Sequence, residues 1–215
     1  MRMHLKNRKI RLKRINSINK INFNSKTLFI FLISLSLVAL ISGIIFYFVL
    51  NGADKNAIDK SISDIFSIKH NYNYFKIFKD SFLENNFNIF LIWVLGLSVI
   101  GIFINIIIYF FHIFTLGFNI AAIMSNYGIK GLIGSFCYLF PSKVCYVTTL
   151  FIITFFSIKI SYKIITFLFL KKDFNIRNSM NSYFKLLFFA FIVVVFICLL
   201  ETFIDPFFIK LFTKI

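Results

Sequence analysis

The sequence is poor in the residues on which catalytic and disulfide-built soluble folds depend. Its 3 cysteines, Cys137, Cys145 and Cys198, are odd in number and sit in apolar runs, which excludes a disulfide framework. Its 3 histidines, His4, His70 and His112, are scattered without ligand-like spacing, so no metal site is indicated. There is no HExxH, no nucleophile elbow and no phosphate-binding Gly loop ending in Lys-Ser/Thr. Paired acids and a Ser/His pair are also missing from the apolar runs, so the reading is non-enzymatic and no cofactor is expected. Charged residues are only 15% of the chain, whereas 59% is hydrophobic, above the roughly half expected of a soluble domain. One soluble core of 215 residues could not bury so much apolar surface. A bilayer solvates it directly, provided each span satisfies its own backbone as a helix. The fold class is therefore all-α, a polytopic membrane bundle. The 33 phenylalanines, with abundant Lys, Asn and Ile, have the look of AT-rich drift.

Acids are the other scarcity, 8 against 24 Lys and Arg. Residues 1–26 hold Arg2, Lys6, Arg8, Lys9, Arg11, Lys13, Arg14, Lys20 and Lys26 and no acid, which assigns this tail to the cytoplasm. Contact with anionic lipid is a second reading of the tail. Nucleic acid is disfavoured, because no aromatic platform accompanies the charge. Apolar runs predict spans at about 28–50, 87–111, 113–127, 143–158 and 186–204. The first reads as a retained signal anchor, with no small-residue cleavage site after it. The nearly neutral connector 51–86 is expected outside. There Ile58, Ile62, Ile65 and Phe66, then Phe75, Phe78 and Phe82, recur at helical spacing, as in amphipathic helices or a packed connector. A second lysine-rich stretch, 159–185, is expected inside, with "YKIITFLFLKK" at the interface. Five crossings follow, with the N-terminus cytoplasmic and the C-terminus extracytoplasmic.

The third crossing is broken. In "GFNIAAIMSNYGIKGLIGSFCYLF", Gly117, Ala121 and Ser125 line one helix face with small residues, a signal for close helix approach. Gly128, Gly131 and Gly134 recur around Lys130, which would cost about 2.5–3.5 kcal/mol at mid-bilayer. A turn at 128–131 is predicted, then an apolar half-helix from 132 to 140 ended by Pro141. Such backbone belongs inside the bundle or at a contact between copies in a homo-oligomer. Close packing alone accounts for the glycines, and a pore or binding role is the sharper alternative. Among intramembrane polar residues, Asn105 is expected to hydrogen-bond between helices. Glu201, one turn from the end of the last span, is expected at the interface rather than as a proton or cation ligand. Asp205 before Pro206 reads as an N-cap.

The order of these features resembles the stage II sporulation protein M family. The resemblance runs from the first span to the C-terminus: a basic tail, "SFLENNFNIFLIWVLGLSVIGIF" opening span two, "FTLGFNIAAIMSNYGIKG" after it, a proline ahead of span four and the terminal "LLETFIDPFFIK". The chain departs from many broader family members, which follow the central proline with His-Gly and a nearby Glu; here "PSKVCYV" stands instead. The resemblance implies a scaffold in the bacterial cell membrane that recruits a membrane-anchored cell-wall hydrolase complex at the septum or during engulfment. Gly117, Ala121, Ser125, Gly128, Gly131, Gly134 and Pro141 are then the helix-contact or partner-binding set. A small transporter or permease subunit is the alternative, motivated by the interrupted helix with Lys130 and by Glu201.

Overall fold

The computed structural model describes residues 25–65, 73–139, 142–170 and 176–212. The tail before Ser25, His4, His70, Phe66, Lys171, Lys172, Asp173 and Pro141 lie outside the described residues. Every described element is helical: α1 Ser25–Val49, α2 Gly52–Ile65, α3 Tyr74–Leu95, α4 Gly101–Leu139, α5 Ser142–Leu170, α6 Ile176–Leu199 and α7 Asp205–Phe212. A π turn, Leu200–Ile204, joins α6 to α7. Four stretches are long and apolar enough to cross a membrane: Ser25–Val49, Gly101–Gly131, Ser142–Phe169 and Asn178–Phe208. Helix α3, with Lys76, Lys79, Asp80 and Glu84 in its first half, is not among them, yet it packs in the middle of the bundle through Ile89, Ile92 and Trp93.

Cross-helix contacts fix the directions. Ser36 Oγ meets Tyr109 Oη at 2.6 Å and the Tyr47 ring packs on Phe118, so α1 and α4 run parallel. Helix α5 runs parallel to α3, since Asn88 bonds Tyr146 while Ser161 bonds Gly96. Helix α6 opposes both, because Trp93 stacks on Tyr183 and Asn85 reaches Glu201. Outward faces stay apolar, as Phe29, Ile30, Leu37, Phe103, Phe188 and Phe196 are exposed. Only lipid or another apolar surface solvates such faces well.

The turn expected near residue 112 lies at Gly96–Ile100. The expected spans 87–111 and 113–127 are therefore corrected to α3 and the first part of α4. The turn is itself apolar, so hydropathy does not register it; local chemistry makes it. The Gly96 N–H bonds back to the Ile92 and Trp93 carbonyls, and Ser98 Oγ accepts from Gly101 N–H at 2.9 Å, as an N-cap does. Helix α5 also continues through "YKIITFLFL" to Leu170, farther than the expected end at 158. Asp205 is not an N-cap: it has helical φ/ψ and its N–H bonds Leu200 O, five residues back. The π register carries the chain into Pro206, whose ring could not sit in an unbroken α ladder.

Helix α4 reverses at Gly128, where φ is +59° and ψ is −137°. Only glycine adopts that combination freely. The half-helix after it folds back on α4: a Cβ on Gly131 would lie 2.6 Å from Ile123 O and 2.8 Å from Met124 Cα. Ser135 Oγ, beside Ile120 O at 3.5 Å, continues the antiparallel register. The break expected at 128–131 is thus a one-residue hinge at the tip of a helical hairpin. At the same end of the bundle, α2 docks as a packed connector, with Ile62 buried against the cluster of Tyr47, Ala121, Ala122 and Ile123. Asp59 ties it down by accepting from Tyr47 Oη at 2.9 Å and Asn126 Nδ2 at 2.8 Å.

Candidate functional site

Two polar layers cross the bundle. The first surrounds the end of α3, whose last carbonyls accept from the N–H groups of Gly96, Leu97 and Ser98 and have a second lone pair to offer neighbouring helices. Asn105, fully buried on α4, donates from Nδ2 to Ile92 O at 3.2 Å and to Ser157 Oγ at 2.5 Å. Ser157 of α5 donates to the same carbonyl at 3.0 Å, and Ser161 donates to Gly96 O at 2.7 Å. Tyr183 of α6 donates from its hydroxyl to Trp93 O at 2.9 Å, and Trp93 Nε1 returns a bond to Tyr183 O at 3.2 Å. Three helices therefore cap a fourth. Gly96 makes room, since a Cβ there would strike Tyr183 and Ser157.

The second layer lies nearer the opposite end, where the π turn meets the start of α5. Lys143 Nζ donates to Glu201 Oε1 at 2.8 Å; the Glu201 side chain is 5% exposed and the Lys143 side chain 29%. Asn85 Nδ2 donates to Glu201 Oε2 at 3.2 Å, with Cys198 Sγ 3.9 Å away. Ser142 Oγ donates to Asp205 Oδ2 at 2.5 Å. Both carboxylates thus engage the amino-terminal residues of α5, where the helix dipole favours negative charge. Glu201 lies within the π turn and Asp205 directly follows it. Glu201 and Asp205, four apart, share the helix face that meets α5.

The sequence-derived residues distribute as follows. Asn105 bonds between helices, as expected of it. Gly117 meets α1, because a Cβ there would collide with Leu40 O, and Gly43 meets α4 reciprocally at Phe114 O. Ala121 is buried in the cluster with Tyr47, while Ser125 is exposed. Gly131 and Gly134 are buried, Gly128 is exposed at the hinge, and Lys130 is exposed two residues beyond it. Pro141 lies outside the described residues. The small residues therefore do not form one continuous face: Gly117 and Ala121 serve α1 and α2, whereas Gly131 serves the hairpin. Glu201 is buried within the bundle and ion-paired.

Sequence reasoning missed Lys143, Asn85, Ser142, Ser157, Ser161 and Tyr183. A signal existed for Lys143, a lone base at the head of an apolar run after a proline, with Glu201 the only acid in the last one.

A family model described as stage II sporulation protein M matches residues 18–206. No curated protein and no solved structure matches the chain. The matched stretch takes in all six helices from α1 to α6, the Gly128 hinge and both polar layers, so what has been described is the body of the family's own domain. The chain belongs to the stage II sporulation protein M family.

Proposed function

We propose that this multi-pass membrane protein is a non-enzymatic scaffold, which recruits or anchors a cell-wall-remodelling complex at the septum or the engulfing membrane. In this reading the basic tail is cytoplasmic and α7 extracytoplasmic. One observation carries it: the strongest polar groups of the bundle are spent on holding helices to one another. Asn105, Ser157, Ser161 and Tyr183 cap α3, and Glu201 is closed off by Lys143 and Asn85. Such a bundle is built to hold its shape and to present its outer faces. Family membership supports the envelope role. The test is affinity purification of the tagged full-length chain in mild detergent from dividing and sporulating cells. A wall hydrolase or its membrane anchor is expected to co-purify, and fluorescence of the tagged chain to gather at the septum. Uniform membrane fluorescence with no envelope protein recovered would overturn the reading.

A transport reading draws on the two buried carboxylates, with Asp205 Oδ1 having no hydrogen-bond partner among the described residues. Buried acids within membrane helices often mark ion or proton paths. Flux into proteoliposomes that Glu201→Gln abolishes would put transport ahead of the scaffold.

A further inference from the structure

Where α6 passes into α7, the backbone ladder loses a bond. The Glu201 carbonyl would ordinarily accept from the N–H four residues on, but the Asp205 N–H bonds Leu200 O instead. The N–H five residues on would belong to Pro206, which has none. The Glu201 carbonyl is therefore left without a donor in its own helix. One turn later, Asp205 is only 8% exposed, and its two oxygens differ. Oδ2 accepts from Ser142 Oγ, whereas Oδ1 is buried and has no hydrogen-bond partner among the described residues. Side chains tilt towards the amino end of their helix, so this carboxylate leans back over the turn that carries the freed carbonyl. Two oxygen acceptors without donors and a serine hydroxyl thus belong to one corner of the bundle.

The charges there do not balance. Glu201 and Asp205 share one helix face, and Lys143 is the one base among the described residues that meets them. Lys143 pairs with Glu201, so one surplus negative charge rests on Asp205. The amino end of α5 offsets roughly half a charge, and the freed carbonyl at the end of α6 adds partial negative charge back. Buried charges of this kind are paired or coordinate metals. Among the described residues no group of three His, Cys, Asp or Glu side chains comes together, so the donors are not those of zinc. A divalent ion would reverse the surplus rather than cancel it. We propose that Asp205 Oδ1, the Glu201 carbonyl and Ser142 Oγ are ligands of one monovalent metal cation, with sodium as its simplest occupant. Carbonyls freed at a break in a membrane helix are recurrent sodium ligands. The ion joins the start of α5 to the start of α7. Its binding is measured without flux and holds under either reading of the function, as a clamp in a scaffold or as cargo in a transporter.

The experiment is equilibrium uptake of radioactive sodium by the tagged full-length protein in neutral detergent, with choline chloride holding the ionic strength constant. Saturable binding of one sodium per chain is expected, and choline is not expected to compete. Asp205→Asn keeps the shape of the side chain and removes its charge; it should weaken binding by more than about 100-fold, as loss of one partner from a buried charge pair does. Ser142→Ala should weaken it by about ten-fold. Pro206→Ala keeps every acid and restores an N–H at 206, which lets the ladder close over the freed carbonyl. A weakening of about ten-fold is expected, and this variant tests the site even if Asp205→Asn does not fold. Asp54→Asn and Asp80→Asn, exposed on α2 and α3, leave binding unchanged. Absence of saturable sodium binding, undiminished binding in Asp205→Asn or in Pro206→Ala, or displacement by an equal concentration of calcium would each overturn the assignment. So would stabilisation of the fold by acid in place of sodium, which would put a proton there instead.

Discussion

Breaking the Lys143–Glu201 pair from either side should have unequal effects. Glu201 is 5% exposed on its side chain and is held between Lys143 and Asn85, so with the lysine gone its charge has one amide left and no route to water. Leaving an uncompensated buried charge costs about 3–5 kcal/mol in soluble proteins. On that scale Lys143→Met should destabilise by about 3–5 kcal/mol. Removing the acid instead is milder. Lys143, 29% exposed, can swing its ammonium outward, and Gln at 201 still accepts from Asn85, so Glu201→Gln should cost about 1 kcal/mol, in the range of single membrane hydrogen bonds. The double variant removes both charges together and should be less destabilised than Lys143→Met alone. The assay is a double-mutant cycle of reversible unfolding in mixed micelles. Additive single effects, or a larger loss for Glu201→Gln than for Lys143→Met, would refute the view that Glu201 depends on its lysine.

Three other outcomes follow from the packing. Gly117→Leu should push α1 off α4, because its Cβ already meets Leu40 O; about 1–3 kcal/mol of overpacking is expected, read as a lower unfolding midpoint in mixed micelles. Gly128→Ala should lower thermal stability by about 1–3 kcal/mol through backbone strain alone, since nothing lies within 4 Å of its Cβ. Gly52→Ala, equally open and without the positive φ, is the matched control, and equal melting of the two would count against the hinge. Asn105→Leu should cost about 0.6–1.7 kcal/mol and should shift the emission of Trp93, the 1 tryptophan of the chain, which sits beside the capped carbonyls.

Hydropathy and glycine spacing made the broad architecture legible. A membrane bundle, a break at Gly128 and a half-helix after it all follow from where apolar runs stop and where only glycine fits. The turn at Gly96–Ile100 was hidden because its residues are as apolar as the helices they join, so only Gly96 and Ser98 marked it. The Lys143–Glu201 pair was hidden for another reason. Its partners stand on different helices, and periodicity describes a single helix, not which helix lies beside it. Asp205-Pro206 misled because that dipeptide starts helices in most settings; a π turn upstream supplies a register in which the proline is tolerated mid-helix.

The capping of α3 by its neighbours bears on how the protein is made. Helix α3 carries Lys76, Lys79, Asp80 and Glu84 and is too polar to count as a spanning helix by itself. Its final carbonyls accept from the N–H groups of Gly96, Leu97 and Ser98, and side chains of α4, α5 and α6, which leave the ribosome afterwards, add further bonds to this end of the helix. The side-chain bonds that lock this end of α3 to its neighbours are therefore complete only once Tyr183 has been made. Of all the long helices, α3 is the one whose docking draws on the most sequence still to come.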